Sequence, residues 1–211
     1  MEFEEWEPYY EKILEEFGYN RKEDELSARI LDRKLAGSRI ELSIIIETLK
    51  GKVVTVTGNA TSLVNEMRSI EGILITADEA TSVMMRAGMI PKILVTDLDG
   101  DIEDQIRANE RGTVAVIHAH GDNIPKVEKY ASEFKGKVVG TTQSRPFGKI
   151  FNFGGFTDGD RAVLLAHHFN ASSIRLLGFD FENPSPKDEN PDVKRRKLTW
   201  AHKLIQKIGI I

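Results

Sequence analysis

Cysteine is missing altogether from the 211 residues, which excludes disulfides, thiolate metal sites and cysteine nucleophiles. A basic excess is missing too: 29 lysines and arginines against 33 aspartates and glutamates leave a net charge of −4 and a pI near 5.8. That balance has no electrostatic footprint for generic nucleic-acid binding. No apolar run approaches the roughly 18 residues that a membrane span requires. The opening Met1-Glu2-Phe3-Glu4-Glu5-Trp6-Glu7 is acidic where a signal peptide is basic, so the expected location is the cytoplasm. No internal repeat is visible. What is present, 40% hydrophobic and 29% charged residues, describes a soluble globular chain long enough for one α/β core with an appended segment. Heavy use of Glu, Lys and Arg without cysteine also fits a thermophile.

Two regions divide at residue 50. In 1–50 there is no strand signal, but Trp6, Tyr9, Tyr10, Ile13, Leu14 and Phe17 recur at helical spacing before Gly18. Leu26, Ile30, Leu31 and Leu35 make a second stripe, and 40–49 a third. This leader can cap the core, form a contact in a homo-oligomer or simply pack on the surface. In 51–211 short apolar runs alternate with helical patterns. Strands are expected over 53–57, 73–77, 93–96, 114–119, 138–141, 150–153 and 174–179. Helices are expected over 62–70, 79–87, 102–111, 126–134, 161–169 and 193–208. Such alternation means crossover units: an α/β fold with a mostly parallel, Rossmann-like sheet covered by helices on both faces. Ligands then bind at the carboxyl ends of the strands, where Gly58, Asn59, Asp78, Asp97, His120 and Asp180 fall. The segment 183–191, with Pro184, Pro186 and Pro191, reads as a surface loop.

The sharpest chemical signal is the strand Ile93-Leu94-Val95 running into Asp97, Asp99 and Asp101. In extended backbone Asp97 and Asp99 share a face, and carboxylates that close require a cation between them. Magnesium or manganese suits such hard oxygen ligands; a solvated acidic turn is the bland alternative, and Asp101 reads as the cap of the helix that follows. A second polar strand end, His118-Ala119-His120-Gly121-Asp122, lacks a third nitrogen or sulfur ligand for zinc, which leaves phosphate contact or a proton role. Gly58-Asn59-Ala60-Thr61-Ser62-Leu63 opens a helix where amides can meet a phosphate, or where Thr61 or Ser62 merely caps. Asp78 fits an N-cap or a nucleotide or metal role. Thr157 with Asp160 forms a capping box beside Gly154 and Gly155, Arg145 can grip a phosphate, and Lys194-Arg195-Arg196-Lys197 is either a solvated helix face or a cover for a triphosphate.

Thr96-Asp97-Leu98-Asp99-Gly100, His118-Ala119-His120-Gly121-Asp122-Asn123 and Gly154-Gly155-Phe156-Thr157-Asp158-Gly159-Asp160-Arg161 resemble the archaeal 6-hydroxymethyl-7,8-dihydropterin diphosphokinases. That group is related to motility-associated glycosyltransferase-like proteins and more distantly resembles thiamine pyrophosphokinase. The resemblance covers nearly the whole chain. No β-rich C-terminal domain for thiamine follows, Asp78-Glu79-Ala80 stands where the thiamine enzymes have glycines, and Thr96 where they have a glycine before the acids. The resemblance implies transfer of a diphosphoryl group from ATP to the pterin hydroxymethyl oxygen, with release of AMP. It further implies magnesium on Asp97 and Asp99, completed by Asp122 or Asp78, and a proton accepted by Asp122 or His120. Gly58, Asn59, Asp78 and Arg145 would face the nucleotide, and Asn123, Phe156 and Asp158 the pterin. A metal-dependent nucleotide-sugar glycosyltransferase and a non-catalytic nucleotide-binding regulator are the alternatives.

Overall fold

The computed structural model describes residues 1–37, 42–185 and 190–211. Ile40 of the third helical stripe and 186–189 of the proline-rich segment lie outside the described residues. All seven expected strands form: β1 Val53–Thr57, β2 Ile73–Ala77, β3 Ile93–Thr96, β4 Val114–Ala119, β5 Val138–Thr142, β6 Ile150–Phe151 and β7 Ser173–Leu177. They make one sheet in the order β6-β5-β4-β3-β2-β1-β7, and every neighbouring pair is parallel. All carboxyl ends therefore open on one edge. β6 stops after two residues, where the Asn152 amide turns to the carbonyls of Gln143 (3.0 Å) and Ser144 (2.9 Å). β7 stops before Gly178, whose φ of +67° breaks the extended run.

Alternation along the strands sorts two cores. Leu94, Ala115, Ile117 and Val138 face one way, onto Ala28 and Leu31 of α2 (Arg21–Lys34) and Val127 of α7 (Ile124–Tyr130). Val54, Val56, Ile75, Ile93, Val95, Val116 and Val139 face the other. There they meet Ile45 and Leu49 of α3 (Ser43–Leu49), Val163 and Leu165 of α8 (Asp158–His168) and Ile205 of α9 (Pro191–Lys207). Each such side chain contributes roughly 1.5–3 kcal/mol by leaving water. On the first face also lie α4 (Leu63–Glu66) and α5 (Ala80–Arg86), with Leu63, Ala80 and Met84 packed on Leu74 and Leu177. Asp101 caps α6 (Ile102–Glu110) by accepting from the Asp104 amide at 3.1 Å, as expected.

The leader supplies a further layer. α1 (Phe3–Phe17) buries Phe3, Trp6, Tyr10 and Ile13 against Leu164 of α8 and Trp200 and Leu204 of α9. Glu2 and Glu5 form its capping box, and Gly18 at φ +69° ends it. Among the described residues no helix is long and apolar enough to cross a membrane.

Candidate active site

Two strand ends and one helix start build the site. β2 stops at Ala77 because Asp78 turns to φ +44°, and β3 stops at Thr96 because Leu98 turns to φ +68°. Non-glycine residues in this left-handed region cost of order 1–3 kcal/mol each and persist where the surroundings over-determine them. Here Leu98 is anchored as a buried core side chain and its amide donates to Thr96 Oγ1 at 2.8 Å. The turn at Leu98 replaces the expected extended geometry between Asp97 and Asp99. Asp99 lies exposed and pairs with the Lys126 ammonium.

The third element is α8. Thr157 and Asp160 form the expected capping box, the Asp160 carboxylate accepting from the amides of Thr157 and Phe156 at 2.7 Å each. Gly155, at φ +100°, lets the chain pass so close that an added Cβ would stand 2.7 Å from Arg161 Cα. α8 packs under β1, β2 and β3, and this crossing brings its first turn, with Asp158, to the carboxyl edge.

Asp78, Asp97 and Asp158 thereby converge, each with a carboxylate oxygen within 4.8 Å of the others. Burial, with the charges of Asp158 and Asp97, raises the Asp78 carboxyl well above the usual carboxylate range. Burial and the Asp97 charge raise Asp158 as well, against the pull of Arg161. Asp97 goes the other way: burial opposes its ionisation, but the bond and charge of His120, aided by Arg161 and Lys126, hold it below the usual range. The hydrogen bonds agree. Thr96 Oγ1 lies 2.6 Å from Asp78 Oδ1 and 2.9 Å from Gln105 Oε1, and the Gln105 amide nitrogen already donates to the Asp99 carbonyl at 2.6 Å. One hydroxyl proton cannot serve two acceptors; a proton on Asp78 satisfies both.

A divalent cation fits this group. The ligand atoms are all carboxylate oxygens, which selects magnesium or manganese over softer ions. Asp97 Oδ2 meets His120 Nε2 at 3.3 Å, while Asp97 Oδ1 is buried with no hydrogen-bond partner.

The other expected site residues fall elsewhere. Asp122 is exposed, in the 3-10 turn Gly121–Asn123 that precedes α7, outside the carboxylate group. Asn123 is buried and its amide is saturated: Nδ2 donates to the carbonyls of Asp97 (2.8 Å) and His118 (2.7 Å). Its Oδ1 accepts from the His120 amide (3.0 Å) and the Ser27 hydroxyl (3.2 Å), so nothing is left to read a pterin. Phe156 is buried beside Phe17 and Tyr19, at ring separations of 5.1 and 6.4 Å. Arg145 lies over the Phe3 ring and beside Glu7, both of α1. A Cβ on Gly58 would meet the Gly178 carbonyl at 2.6 Å, which explains that glycine by backbone crowding. Asn59 is exposed on the same edge and bonds Glu79, and Ser62 makes no side-chain cap to α4. In the basic cluster, Arg196 holds Glu16 and Arg195 holds Asp192.

His118 is buried, its charged form disfavoured by burial, Arg161 and His120. Thr141 Oγ1 donates to the Ile117 carbonyl at 3.2 Å, so His118 Nδ1, at 3.1 Å, carries the proton toward it and Nε2 is left as an acceptor. Neither His118 Nε2 nor Arg161 Nε has a partner, and both residues line a small cavity with Thr142, Phe153 and Gly154. A larger cavity of about 340 Å³, lined by Met1, Glu5, Tyr9, His167, Lys207 and Ile208, touches none of Asp78, Asp97 and Asp158.

A sheet of this kind, with three acids gathered at its carboxyl edge, belongs with the α/β enzymes that work at strand ends. The chain is a member of the 6-hydroxymethylpterin diphosphokinase MptE-like family, whose model matches residues 36–185. It is 39% identical to the 6-hydroxymethyl-7,8-dihydropterin pyrophosphokinase of Methanothermobacter thermautotrophicus, over 97% of this chain and 94% of that one. The proteins of the same name from Pyrococcus furiosus and Methanocaldococcus jannaschii are 38% and 36% identical, over 98% and 97% of this chain and 94% and 95% of theirs. A Maf glycosyltransferase structure from Magnetospirillum magneticum overlays with a TM-score of 0.48 at 14% identity, over 82% of this chain and 29% of its own.

Proposed function

We propose that the chain transfers a diphosphoryl group from ATP to the hydroxymethyl oxygen of 6-hydroxymethyl-7,8-dihydropterin, releasing AMP, at the edge where Asp78, Asp97 and Asp158 meet. Family membership and the name shared by the three relatives support the pterin reaction. The observation that carries the site is the buried, unpartnered Oδ1 of Asp97 among three carboxylates. Those three would hold magnesium, which when bound neutralises phosphate charge and aligns the reacting oxygens.

The chain's own residues do the rest. His120 Nε2–H donates to Asp97 at 3.3 Å and the ring accepts from the Asn123 backbone amide, so His120 orients the Asp97 carboxylate, and the alcohol proton passes to water at the open edge. The pterin oxygen forms its bond to the β-phosphorus, the bond from that phosphorus to the α-phosphate oxygen breaks, and AMP leaves with the electron pair. Asp158 binds Arg161 at 3.2 Å, so in this reading it serves the cation rather than the pterin. Gly58 and Asn59 lie on the same edge and face the nucleotide.

Incubating the purified protein with ATP, magnesium and the pterin tests the reading. AMP and pterin diphosphate should appear in equal amounts. ADP as the product would replace diphosphoryl transfer with simple phosphorylation.

A further inference from the structure

We infer that Asp24 of α2, outside the segment matched by the family model, is a positioning residue that holds the three-carboxylate site in register from the N-terminal leader. The inference rests on the reading of Asp78, Asp97 and Asp158 as the cation site.

A buried carboxylate costs several kcal/mol unless its lone pairs are satisfied. Asp24 is 2% exposed and meets three donors. Tyr10 Oη donates to Oδ2 at 2.6 Å, Gln143 Nε2 to the same oxygen at 2.9 Å, and the Gly121 amide to Oδ1 at 2.7 Å. Burial and the neighbouring Asp24 charge push the Tyr10 phenol up, which keeps it a neutral donor.

Two arms run from here to the site. In the first, Gln143 Oε1 accepts from Arg161 Nη2 at 3.3 Å and Arg161 Nη1 donates to Asp158 Oδ1 at 3.2 Å. In the second, Asp24 caps the 3-10 turn whose Asn123 holds the Asp97 carbonyl, and Ser27, three residues on along α2, binds Asn123 directly. One helical turn of the leader thus grips the supports of Asp158 and of Asp97 together.

The acceptor-only character of Asp24 matters most at Gln143. Because Oδ2 accepts, the Gln143 amide must point its NH2 toward Asp24 and its oxygen toward Arg161. Asp24→Asn offers an NH2 in place of Oδ2. Gln143 must then flip, which sets its own NH2 against the Arg161 guanidinium, or leave a donor facing a donor. A carboxylate that only glued the leader to the core would lower stability without touching cation affinity in the folded protein.

The experiment measures Mn2+ affinity by electron paramagnetic resonance without nucleotide, well below the melting temperature of each variant, together with kcat and the magnesium dependence of turnover. Asp24→Asn and Gln143→Leu should each bind Mn2+ about 10–100-fold more weakly, the range for outer partners of metal ligands, and Asp97→Asn should lose binding. Wild-type affinity in Asp24→Asn and Gln143→Leu, beside loss in Asp97→Asn, overturns the positioning role and leaves the site standing. Wild-type affinity in Asp97→Asn overturns both. Should Asp24→Asn not fold, Gln143→Leu decides alone, since it cuts the first arm and leaves Tyr10 and Gly121 on Asp24.

Discussion

Titrating magnesium into the metal-free protein, at mildly acid and mildly alkaline pH, probes the carboxylate site through its protons. Two ionised carboxylates at the 4.8 Å limit of the group repel by about 3–4 kcal/mol at an effective dielectric near 20, so without a cation the site retains protons. Burial and the neighbouring charges raise Asp78 and Asp158. The native state therefore binds more protons than the unfolded chain between the ordinary carboxylate range and the raised values. Stability of the metal-free protein falls as pH rises through that window. Asp97, held low, acts in the opposite sense at more acid pH: its contribution is present above the ordinary carboxylate value and lost as pH falls through its own. A cation must displace the retained protons. At a hundred times its dissociation constant it adds about 2.7 kcal/mol, a rise of about 5–10 °C in melting temperature for a chain of this size. Differential scanning fluorimetry should show a larger magnesium increment at the alkaline pH. Calorimetry in buffers of unlike ionisation enthalpy should show proton release that fades as pH rises. Asp97→Asn should abolish the increment and Asp99→Asn should keep most of it, because Asp99 is exposed and paired with Lys126. Equal increments in wild type and Asp97→Asn, or loss in Asp99→Asn alone, would refute the assignment.

His120→Ala should weaken magnesium binding about 10–100-fold, the range for outer partners of metal ligands, and lower stability by about 1 kcal/mol, because the ring donates to Asp97 and caps the turn by accepting from the Asn123 backbone amide; a magnesium titration and thermal melts check it. Gly155→Ala should destabilise by about 1–3 kcal/mol and weaken magnesium binding too, since its Cβ would press on the first turn of α8 at 2.7 Å from Arg161 Cα; denaturant melts and a magnesium titration read the two effects separately.

Much of the architecture was legible in the amino-acid sequence. Ile93-Leu94-Val95 and Val114–Ala119 announce buried parallel strands by continuous apolar character, and the Asp101 cap and the Thr157–Asp160 box formed as read. These signals act within a few residues, so they survive without knowledge of the rest of the chain. Helix ends were less secure: a single helix over 62–70 resolves into α4 and the 3-10 turn Met67–Ser69. The acidic strand end was visible, but its partners were not. Spacing in extended backbone pointed to Asp97 with Asp99, whereas a backbone turn at Leu98 sends Asp99 to solvent. Asp158 looked like a pterin contact beside a capping box, and Asp24 carried no signal in a polar helical stretch. Only the tertiary structure joined Asp78 and Asp97 to Asp158 and tied Asp24 to their supports. α8 crosses the far face of the sheet to bring residue 158 to the carboxyl edge, and α1 and α2 fold back to cover that edge. Convergence over such separations follows from sheet order and helix packing, which no local periodicity encodes.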